Sequence, residues 1–493
     1  MHNKTLSILA LVLGILVASC TSHPEVPAQS TPVDTIPTIY PDYTDVTVPC
    51  NIAPLNFMLS DTLFTACVAR VTSADGTVRT YGEGVKVIIP EDEWASLKQA
   101  SLGQSMKVEV FGQQDGKWLA YRPFQITVSK DSIDPYISYR LIEPGYGLYD
   151  KMNISQRCVT NFEERVIFNN QVACGEKKGQ CINCHSYQNY HTSNMLFHVR
   201  VTNGGTILVR NGKADKINLK RDGILSAGVY PSWHPTLPLV AFSVDLTHQY
   251  FHTSDVNKVE VFDDASDLIL YDVDQDKITT ICADSTRLEV FPTWSPDGKY
   301  LYYCSTDAWR PDSTNNGDYR LDYPDVHYNL YRRAFQADKR QFGPEELVYD
   351  ADSLGRSVSL PRISPDGKFV TVAEGDYGYF NIWHHEADIR ILDTKSFRVV
   401  PSEEMNSPRD PESYPSFSSN GRWIMCASRR DDGNYSRVYF AYFDGKKAHK
   451  AFLLPQADPE HNWLRLLSYN RPEYMVEPVP ITLDEFANIV KKE

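Results

Sequence analysis

One short segment of the sequence has residue types and spacing suited to cofactor chemistry. Cys181, Cys184 and His185 form the pattern C-x-x-C-H, which is the spacing at which c-type haem is attached. Two thiols three positions apart reach the two vinyl groups on one edge of the macrocycle, and the imidazole that follows becomes the proximal iron ligand. The pattern therefore predicts one covalently bound haem c, attached at Cys181 and Cys184, with His185 as the proximal ligand of the haem iron.

Three other interpretations fit the same cysteines. With Cys174 and His191 they would complete a zinc site. They are also compatible with a redox-active dithiol, or with structural disulfides of an exported protein. Cys158 and Cys174 both precede the segment, and a disulfide between them would brace it, although sequence alone does not fix the pairing.

The distal side of the predicted iron has three candidate ligands. Met195 lies ten residues after His185, and His191 and His198 flank it. A methionine ligand would favour a high potential and electron transfer, whereas a histidine would lower the potential. If none of the three binds, the iron is five-coordinate and open to a small ligand such as peroxide, which would make the protein a haem enzyme.

The N-terminus is typical of an exported lipoprotein. Lys4 supplies a positive charge before an apolar stretch from Leu6 to Val17, which is too short for a mature membrane span. Small residues then precede Cys20, the predicted lipidation site through which the protein would be anchored to a membrane; an ordinary secretory signal is the alternative. Because Ser22 stands where an inner-membrane retention signal has Asp, we expect an outer-membrane lipoprotein of a Gram-negative bacterium, facing the periplasm or the cell surface.

Composition and pattern then divide the rest of the chain. A net charge of −14 argues against a nucleic-acid partner. Alternating apolar and polar residues predict an immunoglobulin-like β-sandwich, and helical spacing from Ser155 to Asn170 predicts a helix before the cysteines. The predicted units are a signal peptide (1–19), a tether (20–40), the sandwich (41–130), a short helical, cytochrome-c-like haem-binding segment (131–203), a repeat region (204–480) and a C-terminal helix (481–493), opened by a capping box from Thr482 to Glu485.

The repeat region contains one motif four times. Its copies run from Tyr230 to Pro235, Phe291 to Lys299, Leu360 to Lys368 and Tyr414 to Arg422. The two central copies contain Ser-Pro-Asp-Gly-Lys, which predicts a tight turn between two strands. Each copy enters a β-rich segment, so the repeats predict the blades of a β-propeller.

The repeats resemble the TolB-like, WD-like propeller of exported bacterial proteins that carry a C-x-x-C-H segment beside it. The runs Ser428 to Gly433, Leu454 to Pro459 and Ser468 to Glu473 share this resemblance, which covers about residues 150–480. It implies a mainly β protein with a propeller of six blades, and it says little about activity because propellers serve unrelated functions.

Together these features predict electron transfer between the haem and a redox partner protein, with the propeller as scaffold. Two other functions remain open: a binding module whose propeller captures a glycan or a protein, with a structural haem or none, and a haem enzyme acting on a small molecule. The sequence contains no G-x-S-x-G nucleophile elbow, so hydrolysis has little support.

Overall fold

The computed structural model describes residues 23–144, 151–174, 179–309 and 323–492. The signal segment and Cys20 lie outside these residues, and their roles stay predictions. Strands make up about half of the described chain and helices are few, which confirms the mainly β fold class. Within these residues no helix is both long enough and apolar enough to cross a membrane.

The N-terminal part consists of two sheets around a shared core. Its strands are β1 (Thr31–Val33), β2 (Ile39–Tyr40), β3 (Val46–Val48), β4 (Phe57–Leu59), β5 (Ala66–Thr72), β6 (Val78–Tyr81), β7 (Lys86–Val87), β8 (Ser105–Gln114), β9 (Lys117–Tyr121) and β10 (Phe124–Val128). β2, β4 and β7 form the smaller sheet and the other seven strands form the larger one. Helix α1 (Glu91–Ala100) follows β7, and its buried Trp94 donates a hydrogen bond to the carbonyl of Ile52 at 3.0 Å.

The described residues from Tyr136 to Met475 form a propeller of six four-stranded blades. Blade 1 contains β11 (Tyr136–Ile142), β12 (Met152–Cys158) and β13 (Glu164–Asn169), and blade 2 contains β14 (Gln180–Gln188), β15 (His191–Val201), β16 (Gly205–Arg210) and β17 (Lys213–Ile217). Blade 3 contains β18 (Val229–Trp233), β19 (Leu239–Phe251), β20 (Val259–Asp272) and β21 (Lys277–Cys282), and blade 4 contains β22 (Arg287–Trp294), β23 (Tyr300–Asp307), β24 (Asn329–Gln336) and β25 (Gln341–Tyr349). Blade 5 contains β26 (Ser357–Ile363), β27 (Phe369–Gly375), β28 (Asp388–Asp393) and β29 (Val399–Val400), and blade 6 contains β30 (Glu412–Phe417), β31 (Trp423–Ser428), β32 (Arg437–Tyr442) and β33 (Phe452–Leu453).

The last strand closes the ring. β34 (Ser468–Met475) follows the short helix α2 (His461–Leu464) and pairs with β11, so it becomes the innermost strand of blade 1. Tyr136 pairs with Met475 and Ile142 with Ser468. The innermost strands of neighbouring blades contact one another around the whole ring, which gives the six blades implied by the resemblance.

Residues 131–203 differ from their prediction. The helix predicted from Ser155 to Asn170 is wrong: these residues form β12 and β13, joined by a turn in which the backbone N–H of Cys158 donates to the carbonyl of Glu163 at 2.9 Å. β12 is paired on both sides, with β11 and with β13, and such non-local pairing overrides the local helix propensity. The expected helical, cytochrome-c-like segment is therefore replaced by blades 1 and 2, and the propeller begins near Tyr136 rather than at residue 204.

The N-terminal pair of sheets, β1 to β10 with α1, is called the sandwich below, and it is fixed to the propeller. Trp423 of blade 6 is fully buried and donates a hydrogen bond from Nε1 to the carbonyl of Ser132 at 3.0 Å. Asn56 of the sandwich donates to the carbonyls of Gln456 and Ala457 at 3.2 and 3.0 Å. One continuous apolar core runs through both parts.

A C-terminal helix ends the described chain. α3 (Leu483–Val490) has Thr482 as its N-cap, and the capping box with Glu485 is formed, which confirms this prediction. Its Phe486 is fully buried against Phe197 of blade 2, with the ring centres 5.2 Å apart. The helix therefore covers the outer part of blades 1 and 2.

Candidate functional site

The C-x-x-C-H segment lies on β14, the innermost strand of blade 2. In the pairing with β15, the two residues after Asn183 oppose a single residue, so Cys184 and His185 form a β-bulge. Cys184 adopts a positive φ of 56°, and both residues are buried. Cys181, Cys184 and Cys158 carry free thiols in the structure, so neither a Cys181–Cys184 bridge nor the Cys158–Cys174 brace is formed.

The same bulge occurs in the innermost strand of every blade. Each is centred on a residue with φ between 48° and 56°, and the six are Cys184, Tyr230, Phe291, Leu360, Tyr414 and Arg471. Proline follows the central residue in five blades, and His185 takes its place in blade 2. Residues of the other five bulges line a narrow waist of the central channel, so Cys184 and His185 occupy the blade-2 position of a repeated structural element.

His185 is fully buried, and neither of its ring nitrogens has a hydrogen-bond partner. Its ring lies near the backbone of Ser138 and is 6.2 Å from the ring of Tyr187. Burial lowers the pKa of His185 well below its ordinary value, and the nearby guanidinium groups of Arg471 and Arg140 lower it further. The imidazole is therefore neutral at neutral pH, and its nitrogens are the least satisfied polar atoms of the segment.

The three candidate distal ligands all lie on β15, each in a different environment. Met195 is fully buried in the apolar core between blades 1 and 2. His198 is also buried, and its Nδ1 lies 2.8 Å from the hydroxyl of Thr206. The side chain of His191 is 55% exposed, and its Nδ1 lies 3.5 Å from Oε1 of Glu477.

The donor set of the segment suits haem chemically, because it combines two thiols with an unpartnered imidazole. Its arrangement does not fit a haem in this structure. Cys181 lines the cavity described next, whereas Cys184 and His185 are packed inside the bulge and do not line it; a proximal ligand needs the macrocycle directly against its ring. For the zinc alternative, the described part of the chain contains no group of three metal-binding side chains.

A cavity of about 500 Å³ opens above the waist, at the end of the channel where the innermost strands begin. We call it the mouth cavity. Blades 1, 2, 3, 5 and 6 contribute to its wall. Among its lining residues are Arg140, Cys181, Asn183, Arg200, Lys220, Ser226, Ala227, Tyr230, Asp245, Thr247, Gln249, Phe380, Trp383, Arg429, Ser468 and Asn470. This volume is ordinary for a small-molecule site.

Four cationic side chains line the mouth cavity: Arg140, Arg200, Lys220 and Arg429. Among the described residues none of them forms an ion pair with a carboxylate. Arg429 is the most constrained, since its guanidinium stacks on the Trp383 ring at 3.3 Å and its Nε donates to the carbonyl of Ile382 at 3.0 Å. Burial lowers the pKa of Arg429 to about 9. A protein of net charge −14 therefore carries a locally positive cavity.

Asp245 on β19 is the unusual acidic group of the mouth cavity. It is only 8% exposed, and both carboxyl oxygens lack a hydrogen-bond partner. Burial raises its pKa to about 8, against the opposing effect of Arg200. On the neighbouring strand β20, Asp263 is also buried and accepts a hydrogen bond from the Tyr379 hydroxyl at 2.8 Å; burial, followed by the charge of Asp245, raises the pKa of Asp263 as well.

Sequence reasoning did not find the mouth cavity. Its charged residues come from four different blades, and no two of them share a local motif. The sequence does contain one indication of the channel wall. In each repeat an aromatic or other large residue is followed directly by proline, and that dipeptide forms the bulge.

No protein-family model matches the chain, and no curated protein sequence matches it. Among solved structures, a nidogen/laminin complex has 7% identity and a TM-score of 0.37, covering 69% of this chain and 100% of that one. A puromycin-hydrolysing peptidase of Mycobacterium tuberculosis has 10% identity and a TM-score of 0.37, covering 84% of this chain and 57% of that one. A β-propeller domain from Myceliophteria thermophila has 10% identity and a TM-score of 0.33, covering 61% of this chain and 82% of that one. The assignment of six blades rests on the strand pairing itself.

Proposed function

We propose that this chain is a binding protein that takes up a small polar molecule in the mouth cavity of its propeller. One observation carries the proposal: a cavity of about 500 Å³ is lined by four cations without carboxylate partners and by the buried, unpartnered carboxyl of Asp245. Buried polar groups are normally paired, because leaving a charged one unpaired is unfavourable. Asp245 is the buried charged group without a partner, since the buried Arg429 already donates to the carbonyls of Ile382 and Asn434. A ligand that pairs with Asp245 and with the accessible cations accounts for this lining.

The proposal includes export and anchoring as a lipoprotein. Cys20 would carry the lipid at an outer membrane, facing the periplasm or the cell surface. The tether would be shorter than the predicted residues 20–40, because β1 and β2 already belong to the sheets of the sandwich. The sandwich would then present the propeller, since the two parts share one core. Metabolic labelling with a fatty-acid analogue tests this directly: label is expected on the wild type and is expected to be lost in Cys20→Ala.

Covalent haem at Cys181 and Cys184, with electron transfer to a partner protein, stays a prediction of the C-x-x-C-H spacing. In-gel peroxidase staining after denaturation tests it, in cells that express haem-ligation machinery. Stain that disappears in Cys181→Ser/Cys184→Ser would establish covalent haem and would require β14 to leave the pairing described above. An unstained, correctly folded protein would remove the electron-transfer prediction and leave the binding proposal unaffected.

A cavity-filling variant tests the binding proposal. Ala227 is an exposed residue of the cavity wall, so Ala227→Trp adds a large ring to the cavity with little effect on the core. The matched control is Ala74→Trp, at an exposed turn of the sandwich. Thermal stability is measured with a panel of amino acids, neutral sugars, sugar acids and sugar phosphates. At least one class is expected to stabilise the wild type and Ala74→Trp but not Ala227→Trp; equal stabilisation of Ala227→Trp, or none in any protein, contradicts the proposal.

A further inference from the structure

We infer that the ligand of the mouth cavity is a hydroxylated carboxylic acid of sugar size, that is, a sugar acid. This inference rests on the proposed function and assigns a chemical class to the ligand. It follows from three properties of the lining: its uncompensated positive charge, its single buried acid, and its many neutral hydrogen-bonding groups.

The positive charge calls for an anionic group on the ligand. Arg429 is 4% exposed and is held in place by its stack on Trp383 and by a hydrogen bond to the Ile382 carbonyl. Arg140 is also positioned, since it donates to the side-chain oxygen of Asn470 at 3.1 Å. Guanidinium groups bind carboxylates through paired N–H···O bonds, and because these two are already ordered, little side-chain entropy is lost on binding.

The two acids of the lining argue for a carboxylate rather than a phosphate. The carboxyl of Asp245 is buried in the same cavity as the four cations, and Glu143 also lines that cavity. The charge of Glu143 would repel a dianionic phosphate about twice as strongly as a monoanionic carboxylate. A buried acid that favours its protonated form can both donate to a hydroxyl group and accept from one.

The remaining polar lining argues for several hydroxyl groups. Six neutral side chains present amides or hydroxyls to the cavity, namely Asn183, Ser226, Thr247, Gln249, Ser468 and Asn470. Each of these groups can donate and accept, as a sugar hydroxyl does. Four of the six already have one partner within the chain, and the other two, Thr247 and Gln249, are exposed, so all six keep capacity for a further hydrogen bond. An α-amino acid would satisfy Asp245 with its ammonium group and the arginines with its carboxylate, but it offers too few hydroxyl groups to use that capacity.

The class is tested by calorimetry on the full chain without its signal segment, with four probes of similar size. D-glucuronate is the sugar acid, D-glucose the neutral sugar, D-glucose 6-phosphate the dianion, and L-glutamate the amino acid. We expect glucuronate to bind most tightly, and its affinity to fall at high salt. Arg200→Gln is expected to weaken glucuronate at least tenfold, because it removes one charge-assisted interaction. The matched control is Arg210→Gln on the same blade, whose guanidinium pairs with Asp274 outside the cavity.

The possible results distinguish a wrong ligand class from a wrong binding function. Tightest binding of glucuronate, weakened in Arg200→Gln and unchanged in Arg210→Gln, supports the inference. Tightest binding of glucose, glucose 6-phosphate or glutamate overturns the sugar-acid class and leaves the binding function in place. Glucuronate affinity that is equal in Arg200→Gln overturns the claim that the positive charge of the mouth cavity holds the ligand's anionic group. No binding of any probe, together with no stabilisation in the wider panel above, overturns the proposed function itself.

Discussion

Replacing Asp245 by Asn is expected to stabilise the ligand-free protein, and more strongly as the pH rises. The carboxyl is buried without a hydrogen-bond partner, so the folded chain favours its protonated form. Asn has nearly the same shape and needs no proton. The substitution therefore removes an unfavourable protonation step and leaves the packing of the cavity wall in place.

The magnitude follows from the shift in pKa. Burial raises the pKa of Asp245 from 3.8 to about 8, and each unit corresponds to about 1.4 kcal/mol. Because the unfolded chain loses the proton near pH 4 and the folded chain holds it to about pH 8, the wild type loses stability as the pH rises between those values. At pH 7 this loss is about 4 kcal/mol as an upper value, and at pH 4.5 it is about 1 kcal/mol. The Asp245→Asn variant would lose no unfolding free energy through this residue at either pH, because its amide does not titrate.

Urea unfolding of both proteins, followed by tryptophan fluorescence at pH 4.5 and pH 7, measures this difference. The gain in unfolding free energy on Asp245→Asn is expected to be several-fold larger at pH 7 than at pH 4.5. Asp307→Asn is the control, because the side chain of Asp307 is 91% exposed, and it is expected to change stability little at either pH. A gain that is equal at the two pH values, or a loss at pH 7, would refute the argument that Asp245 is buried as an uncompensated acid.

Three further predictions concern the packing around the propeller. Phe486→Ala is expected to lower the unfolding free energy by about 3–5 kcal/mol, because its fully buried ring fills the core between α3 and blade 2. The control Leu464→Ala, at an exposed residue, should change the unfolding free energy by less than about 0.5 kcal/mol. Equal effects of the two substitutions on urea unfolding would contradict the packing of Phe486. Asn56→Ala is expected to lose about 1–3 kcal/mol, since it leaves two carbonyls at the sandwich–propeller contact without a donor, and limited proteolysis should cut between the two parts faster than in the wild type. Thr482→Ala should lose about 1 kcal/mol by removing the N-cap of α3, and an unchanged midpoint in urea would show that the cap adds nothing.

Blades with locally encoded turns could be predicted from the sequence. In blade 4 the hydroxyl of Ser295 donates to Asp297 at 2.6 Å and accepts from the backbone of Tyr300 at 3.0 Å. Gly298 completes the turn with a φ of 68°. Because every interaction joins residues at most five positions apart, the motif Ser-Pro-Asp-Gly indicates the turn without knowledge of the fold.

Blades 1 and 2 were not predicted because their defining contacts are not local. The segment from Ser155 to Asn170 has the apolar spacing of a helix, yet the pairing of β12 with β11 and β13 decides its conformation. Blade 1 has no repeat motif before its first strand, since its innermost strand comes from the other end of the chain. The mouth cavity was not predicted for the same reason, because Arg140, Arg200 and Arg429 come together only when the ring is complete.

The C-x-x-C-H segment shows how a local spacing depends on its surroundings. On a flexible or helical segment, Cys181, Cys184 and His185 would be free to turn towards one macrocycle. On a paired strand the register fixes their directions, and the bulge at Cys184 buries the imidazole beside Ser138. The spacing thus indicates which chemistry the residues are capable of, and the strand pairing determines which of them reach a ligand.

Closure of the ring by β34 has a consequence for the order in which the protein can fold. Tyr136 and Met475 are partners about 340 residues apart in sequence, and synthesis from the N-terminus completes β11 long before β34 exists. Until then β11 exposes an unpaired edge, which is a site for wrong pairing between chains. A nascent chain of this protein therefore needs protection until its last strand has emerged, and loss of that strand by premature termination would leave all six blades in an open arc.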